Sequence, residues 1–151
     1  MESELKAWKT SRNQYLQLFD KYSLEQMNIV PEKFSNNIIW NIGHIIAAHQ
    51  GIVYKTSNLP LNIPEDFFDR YKPGTRPMGN VSANELEEIK TLLISMISQT
   101  ETDLANGKFV SFTERTTLTG FHLGNLRDTL VFNNYHEGLH MGYIKSIGRF
   151  V

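Results

Sequence analysis

Apolar residues recur at helical spacing in four long stretches of this chain, and two irregular stretches interrupt them. Leu5, Trp8, Tyr15, Phe19 and Tyr22 mark one face of a helix over about residues 2–21, with Arg12 interrupting the stripe. Ser23 and Gln26 have the spacing of a capping box for a short following turn that ends near Pro31. A second helix is predicted from Ser35 or Asn36 to about Thr56. It is isoleucine-rich and apolar on several sides, with Gly43, Ala47, Ala48 and Gly51 small enough for close helix packing. The third begins at the capping box Ser82–Glu85, with Val81 and Leu86 as its staple. It carries Leu86, Ile89, Leu93, Met96, Ile97 and Leu104 on one face and stops at Asn106-Gly107. The last runs from about Leu123 to Ile147.

The two long connections differ in character. Residues 57–80 contain Pro60, Pro64, Pro73 and Pro77, which forbid a continuous helix, around an aromatic patch of Phe67, Phe68 and Tyr71 on one short turn. A connection this long is expected to cross over a bundle or cover a site. Residues 108–121 are threonine-rich without helical periodicity, which predicts an extended loop with room for a short hairpin. The pattern predicts an all-α fold, a four-helix bundle with long crossover connections, in one domain spanning residues 1–151.

Composition narrows the chemistry. The chain has 151 residues, a net charge of −1 and no cysteine. Disulfides, thiolate metal sites and a cysteine nucleophile are excluded, leaving histidine and carboxylate as strong metal ligands. No global basic field exists to attract nucleic acid. The N-terminus lacks the apolar core of a signal peptide, and no apolar run nears the ~20 residues of a membrane span. The expectation is a cytoplasmic protein without a membrane segment.

His136 and His140 stand one helical turn apart in the last helix, within Asn133-Asn134-Tyr135-His136-Glu137-Gly138-Leu139-His140-Met141-Gly142-Tyr143. Residues four apart share a helix face, so both imidazoles can point at one divalent ion, with His44 of the second helix as a third ligand. Five histidines placed at random in 151 residues yield roughly 0.16 pairs at this spacing, so the pair alone is a modest signal. The alternative is a core His44, with the other two facing solvent or an interface. Asn133, His136, His140, Tyr143 and Ile147 share a face, expected to point inward. Glu137 lies about 100° from His136 and is a poorer ligand. Glu137 and Asn133 are candidates to orient an imidazole or a bound water, and Tyr143 to donate a hydrogen bond into the site. Ordinary packing or surface roles are the alternative for all three. His49 is expected to be exposed or at an interface, and His122 to cap, to bond in a loop or to sit on a pocket rim. Arg70, Lys72 and Arg76 form either an anion-binding cluster or a solvated loop.

Two segments, Ile39-Trp40-Asn41-Ile42-Gly43-His44-Ile45 and His136-Glu137-Gly138-Leu139-His140-Met141-Gly142-Tyr143, resemble the DinB/YfiT-like superfamily of metal-dependent bundle proteins. The order of elements agrees over nearly the whole chain. The resemblance implies a histidine triad of His44, His136 and His140 holding one divalent metal ion such as zinc, nickel, iron or manganese. It also implies a small-molecule substrate. Relatives include transferases that use a low-molecular-weight thiol, and also hydrolases and isomerases. Two classes stay open: a metal-dependent transferase or hydrolase, and a non-catalytic metal- or ligand-binding bundle. A metal-free domain that dimerises through its apolar helices is a third. The apolar second helix and the habit of the family lead us to expect a homodimer. Relatives often continue beyond the position of Val151, so the pocket rim is expected to be thinner here or completed by a partner subunit.

Overall fold

The computed structural model describes residues 1–151. Four long helices build the bundle: α1 (Glu2–Leu16), α4 (Ile38–His49), α6 (Ala83–Ala105) and α7 (Leu126–Ile147). Between α1 and α4 lie two short helices, α2 (Leu18–Lys21) and α3 (Leu24–Asn28), and α5 (Glu65–Tyr71) lies in the proline-rich connection. A two-residue hairpin precedes α7, with β1 (Arg115–Thr116) antiparallel to β2 (His122–Leu123) and Arg115 opposite Leu123. In cross-section α1 packs on α6 and α7, and α4 packs on the same two from the opposite corner. Successive long helices α1 and α4 therefore sit diagonally, which requires a crossover connection. No helix is long and apolar enough to cross a membrane.

Local signals set most of the ends. Ser23 with Gln26 and Ser82 with Glu85 form reciprocal capping boxes. Asn37 caps α4 by accepting from the Trp40 amide. Gly107 follows the Asn106 cap of α6 with a φ of +66°, a left-handed conformation that costs glycine little. The second predicted helix differs in detail. Its α-helical part ends at His49, continues as a π-helical turn over Gln50–Tyr54 and a 3-10 turn over Lys55–Ser57, and stops at Asn58 with a φ of +56°. The first predicted helix is interrupted at Gln17, between α1 and α2.

Every residue of α4 is buried. Its apolar surface is covered within one chain by α5, α6, α7 and α3, so this helix offers no face for a partner, and the physical argument for a homodimer is removed. Gly43 has a specific task. A Cβ there would come within 2.5 Å of the Tyr71 ring, so only glycine lets α5 approach this closely.

Arg12, which interrupts the apolar stripe of α1, is completely buried at the centre of the bundle. Its Nη2 and Nε donate to the Glu137 carboxylate of α7 at 2.8 and 3.0 Å, and Nη1 donates to the Leu93 carbonyl of α6 at 3.0 Å. Nη2 also reaches the Ile45 carbonyl of α4 at 3.4 Å. Glu137 further accepts from Trp8 Nε1 at 2.7 Å and Asn133 Nδ2 at 3.0 Å. The Tyr15 hydroxyl donates to the Glu137 carbonyl. Burial, and then the charge of Glu137, hold the Tyr15 phenol well above its ordinary value. One side chain thus ties all four long helices together.

Breaking a buried ion pair on one side costs about 3–5 kcal/mol, whereas replacing both partners with apolar residues of similar volume is often neutral. Arg12→Met alone is therefore expected to lower stability by about that amount in urea unfolding. Arg12→Met combined with Glu137→Leu is expected to recover most of the loss. Equal losses in the single and double variants would contradict this reading of the pair.

Candidate metal centre

Rotation of α7 places its histidines beside the core rather than in it. The inward stripe is Leu130, Asn133, Glu137, Met141, Ile144 and Ile147. His136 and His140 lie on one flank, half-buried, and face His44 of α4. One ligand nitrogen from each of the three falls within 4.8 Å of the others. Ring centroids are 4.6 Å apart for His136–His140 and for His44–His140, and 5.3 Å for His44–His136.

Hydrogen bonds settle the tautomers of two rings. His44 Nδ1 lies 2.8 Å from the Tyr71 carbonyl oxygen. A carbonyl only accepts, so Nδ1 carries the proton and Nε2 keeps a bare lone pair. His140 Nδ1 lies 2.7 Å from Asn41 Oδ1. The Asn41 amide nitrogen donates to Asn36 Oδ1 and to the Asn37 carbonyl, which orients the amide and makes Oδ1 the acceptor. His140 Nδ1 is therefore protonated as well. His136 Nδ1 is buried with no partner in the chain. Trp40 stacks on His44 at 4.8 Å and 13°, which holds the ring plane.

The environment keeps these imidazoles neutral. Burial, and then the charge of His44, push His136 down to about 4. Burial, and then the charges of His136 and His44, push His140 down to about 2. Burial also lowers His44, partly offset by the Tyr71 carbonyl. At neutral pH all three are uncharged, the form that binds a metal without first losing a proton. Three neutral imidazoles, two with defined bare nitrogens and one with an unpartnered nitrogen, fit a divalent ion with positions left open.

His44 and His136 also form part of the wall of a cavity of about 400 Å³. Phe68 and Pro73 from the proline-rich connection, Arg115, Thr117, Leu118 and Thr119 from the hairpin, and Leu123 and Phe132 line it further. Both long connections thus meet at the site. Lys55 and Arg115 are the charged residues of this wall, and no carboxylate lines it. His140 faces the other side, on a cleft of about 190 Å³ with Asn36, Asn41, Leu139 and Tyr143.

Several sequence expectations are corrected here. Glu137 is consumed by Arg12, Trp8 and Asn133 in the core and orients no imidazole. Asn133 spends its amide on Glu137 and is likewise turned away from the triad. Tyr143 lies on the outer cleft against Phe34, and its hydroxyl has no partner in the chain. His49 is fully buried instead of exposed, bonded through Nε2 to Thr100 Oγ1 at 3.0 Å with its ring edge-on to Trp8. His122 is exposed in β2. The orienting partners are Asn41 and the Tyr71 carbonyl, which sequence reasoning did not assign. A lone asparagine in an apolar helix, three residues before a histidine, was the available signal for the first. A backbone carbonyl has none.

A set of one buried and two half-buried histidines between two bundle helices, beside a cavity lined by both long connections, defines a class of helical-bundle proteins with a candidate metal centre. The sequence model of the DinB superfamily matches residues 7–144, and the chain belongs to that superfamily. No curated protein matches the chain.

The depressed histidines make stability depend on pH. Below the ordinary value of 6.5 the unfolded chain takes up protons that the folded chain refuses. The unfolded state then binds more protons, so stability rises with pH across this window. Metal-free protein is expected to lose stability in urea as pH falls from about 6.5 to about 4. His136→Ala/His140→Ala is expected to show a shallower slope. A flat profile in the natural chain would contradict the burial of neutral imidazoles.

Proposed function

We propose that His44, His136 and His140 hold one divalent ion, zinc, nickel, iron or manganese, and that the protein is a metal-dependent enzyme acting on a small molecule in the adjoining cavity. The observation that carries this reading is the convergence of three neutral imidazoles, two with bare nitrogens set by hydrogen bonds, next to that cavity. Histidine ligation does not choose sharply among these metals.

Between the chemistries open to such a site, the cavity wall favours transfer of a low-molecular-weight thiol. A divalent ion, when bound, supplies the Lewis acidity that makes a thiolate, or a hydroxide from water, available at neutral pH. Hydrolysis is usually assisted by a general base, and no carboxylate lines the cavity because Glu137 is locked to Arg12. A thiol needs no such resident base once its proton is acidified. The chain lacks cysteine, so the sulfur comes from the co-substrate. Lys55 and Arg115 carry positive charge into the cavity without an ion-pair partner and favour a thiol or acceptor bearing an anionic group. The cavity's apolar residues, among them Phe68, Leu123 and Phe132, exclude water around the reacting groups. The second reading is a non-catalytic metal or ligand binder, which the same missing base also favours.

Elemental analysis of protein purified without an affinity tag tests the site. About one metal ion per chain is expected, and it should be lost in His136→Ala/His140→Ala while the helical circular dichroism persists. No uptake of zinc, nickel, iron or manganese by the natural chain would overturn the reading. Consumption of an electrophile that requires both thiol and metal separates the enzyme from the binder.

The hydrogen bond to His140 yields a second test. Removing a partner that orients a ligating imidazole typically costs about 10–100-fold in metal affinity. Asn41→Leu is expected to weaken zinc binding by about that factor in a chelator-competition titration. Unchanged affinity would show that His140 does not depend on Asn41.

A further inference from the structure

α7 differs from the other surface helices in what it shows to water. α1 exposes Lys6, Lys9, Thr10 and Asn13, and α6 exposes Glu87, Glu88, Thr91 and Ser98. Between Asp128 and Lys145, α7 exposes Val131, Tyr135, Gly138, Leu139, Gly142 and Tyr143, and no charge. Val131, Tyr135 and Leu139 are 53%, 47% and 52% exposed. The exposed Phe121 ring widens the strip, 4.9 Å from Tyr135. Towards the C-terminus Phe34 links Tyr143 to Phe150, which is 65% exposed. A contiguous apolar surface of this kind marks an interaction site.

The glycines point to another helix as the occupant. Val131, Tyr135, Gly138 and Gly142 follow spacings of four, three and four, the repeat of a helix–helix seam. Glycine weakens a helix interior relative to alanine. A Cβ at Gly138 or Gly142 would meet nothing within 4 Å, so no contact inside the chain calls for either glycine. The order along the seam then selects a second copy of this chain. Its N-terminal half is bulky and its C-terminal half is bare. Two such helices, antiparallel about a two-fold axis near Gly138, lay the bulky half of each on the glycines of the other. The same axis brings the exposed Lys145 of one copy towards Asp128 of the other. The large side chains of the strip leave on the order of 500 Å² uncovered. With the glycine backbone and the helix ends added, the face reaches the roughly 800 Å² per partner of a standard interface.

We propose that the exposed face of α7 packs antiparallel against the same face of a second copy, with Tyr135 of each seated over Gly138 and Gly142 of the other. The partner face is thus on α7, since α4 is covered within the chain. The pairing needs no bound metal. It bears on the triad all the same, because Leu139 and Tyr143 also line the cleft beside His140. The second copy closes the rim of that cleft, which leaves the larger cavity at His44 and His136 as the open approach to the histidines.

Sedimentation equilibrium of the metal-free chain is expected to give a dimer at micromolar concentration. Tyr135→Glu/Leu139→Glu changes two exposed positions and is expected to keep its helical circular dichroism. It is expected to raise the dimer Kd at least about a hundredfold, because the axis brings like charges together in a desolvated seam. A single introduced cysteine locates the axis, since the natural chain has none. Gly138→Cys is expected to form a covalent dimer on mild oxidation, whereas Ser98→Cys, on the exposed side of α6, is not. A natural chain that stays monomeric, or a dimer indifferent to the two glutamates, would overturn the interface. Equal cross-linking of the two cysteine variants would overturn the antiparallel axis. A monomer that floats with vesicles of phosphatidylcholine and phosphatidylglycerol would overturn the second copy and assign the strip to a lipid surface.

Discussion

The buried pair of Arg12 and Glu137 is the constraint on which the bundle is organised. Burying two opposite charges is costly unless nearly every donor and acceptor is met, and here the four long helices share that work. The guanidinium spends its donors on a carboxylate of α7 and on carbonyls of α4 and α6, and the carboxylate takes further bonds from Trp8 and Asn133. A pair of this kind adds little net stability over an apolar substitute. It does penalise any arrangement that leaves either charge alone, and so it specifies one rotation of α1 and α7 about their axes.

That rotation is what aims the histidines. With Glu137 turned to the centre, His136 and His140 lie about 100° and about 60° round α7 to the same side. That side faces α4, where His44 waits. Gly43 acts on the same assembly from behind. By admitting the Tyr71 ring it brings the Tyr71 carbonyl within reach of His44 Nδ1. The core ion pair, the close approach of α5 and the amide of Asn41 each fix one aspect of the triad, and none of them adds a nitrogen to it.

The division of charge has a chemical consequence. The acidic residue nearest the histidines in sequence is spent in the core, so the imidazoles meet one another, aromatic rings and two neutral amide oxygens rather than a carboxylate. Burial therefore dominates their titration and keeps them neutral. The adjoining cavity keeps positive charge from Lys55 and Arg115 with nothing acidic in its wall. These features suit a site that supplies ligands and an anion-friendly wall and leaves proton handling to what it binds.

Much of the fold was legible because it is local. Capping boxes, the stop at Asn106-Gly107, the short aromatic helix in the proline-rich connection and the four apolar stripes follow from spacings within one turn or two. The histidine pair was legible for the same reason, since residues four apart share a helix face. Where reading by pattern failed, the deciding partner was far away in sequence. Arg12 looked like a break in a stripe, and Glu137 a candidate near the site, until a contact spanning 125 positions joined them. His49 looked exposed until the π-helical end of α4, Trp8 and Thr100 enclosed it. By itself the sequence determined which segments are helical and which residue types are available for metal chemistry, because helix spacing and side-chain basicity are properties of short stretches. The tertiary structure alone decided which face of α7 turns inward, which polar groups lose water and which carboxylate is consumed. Desolvation and ion pairing are set by what the other helices bring to the same point.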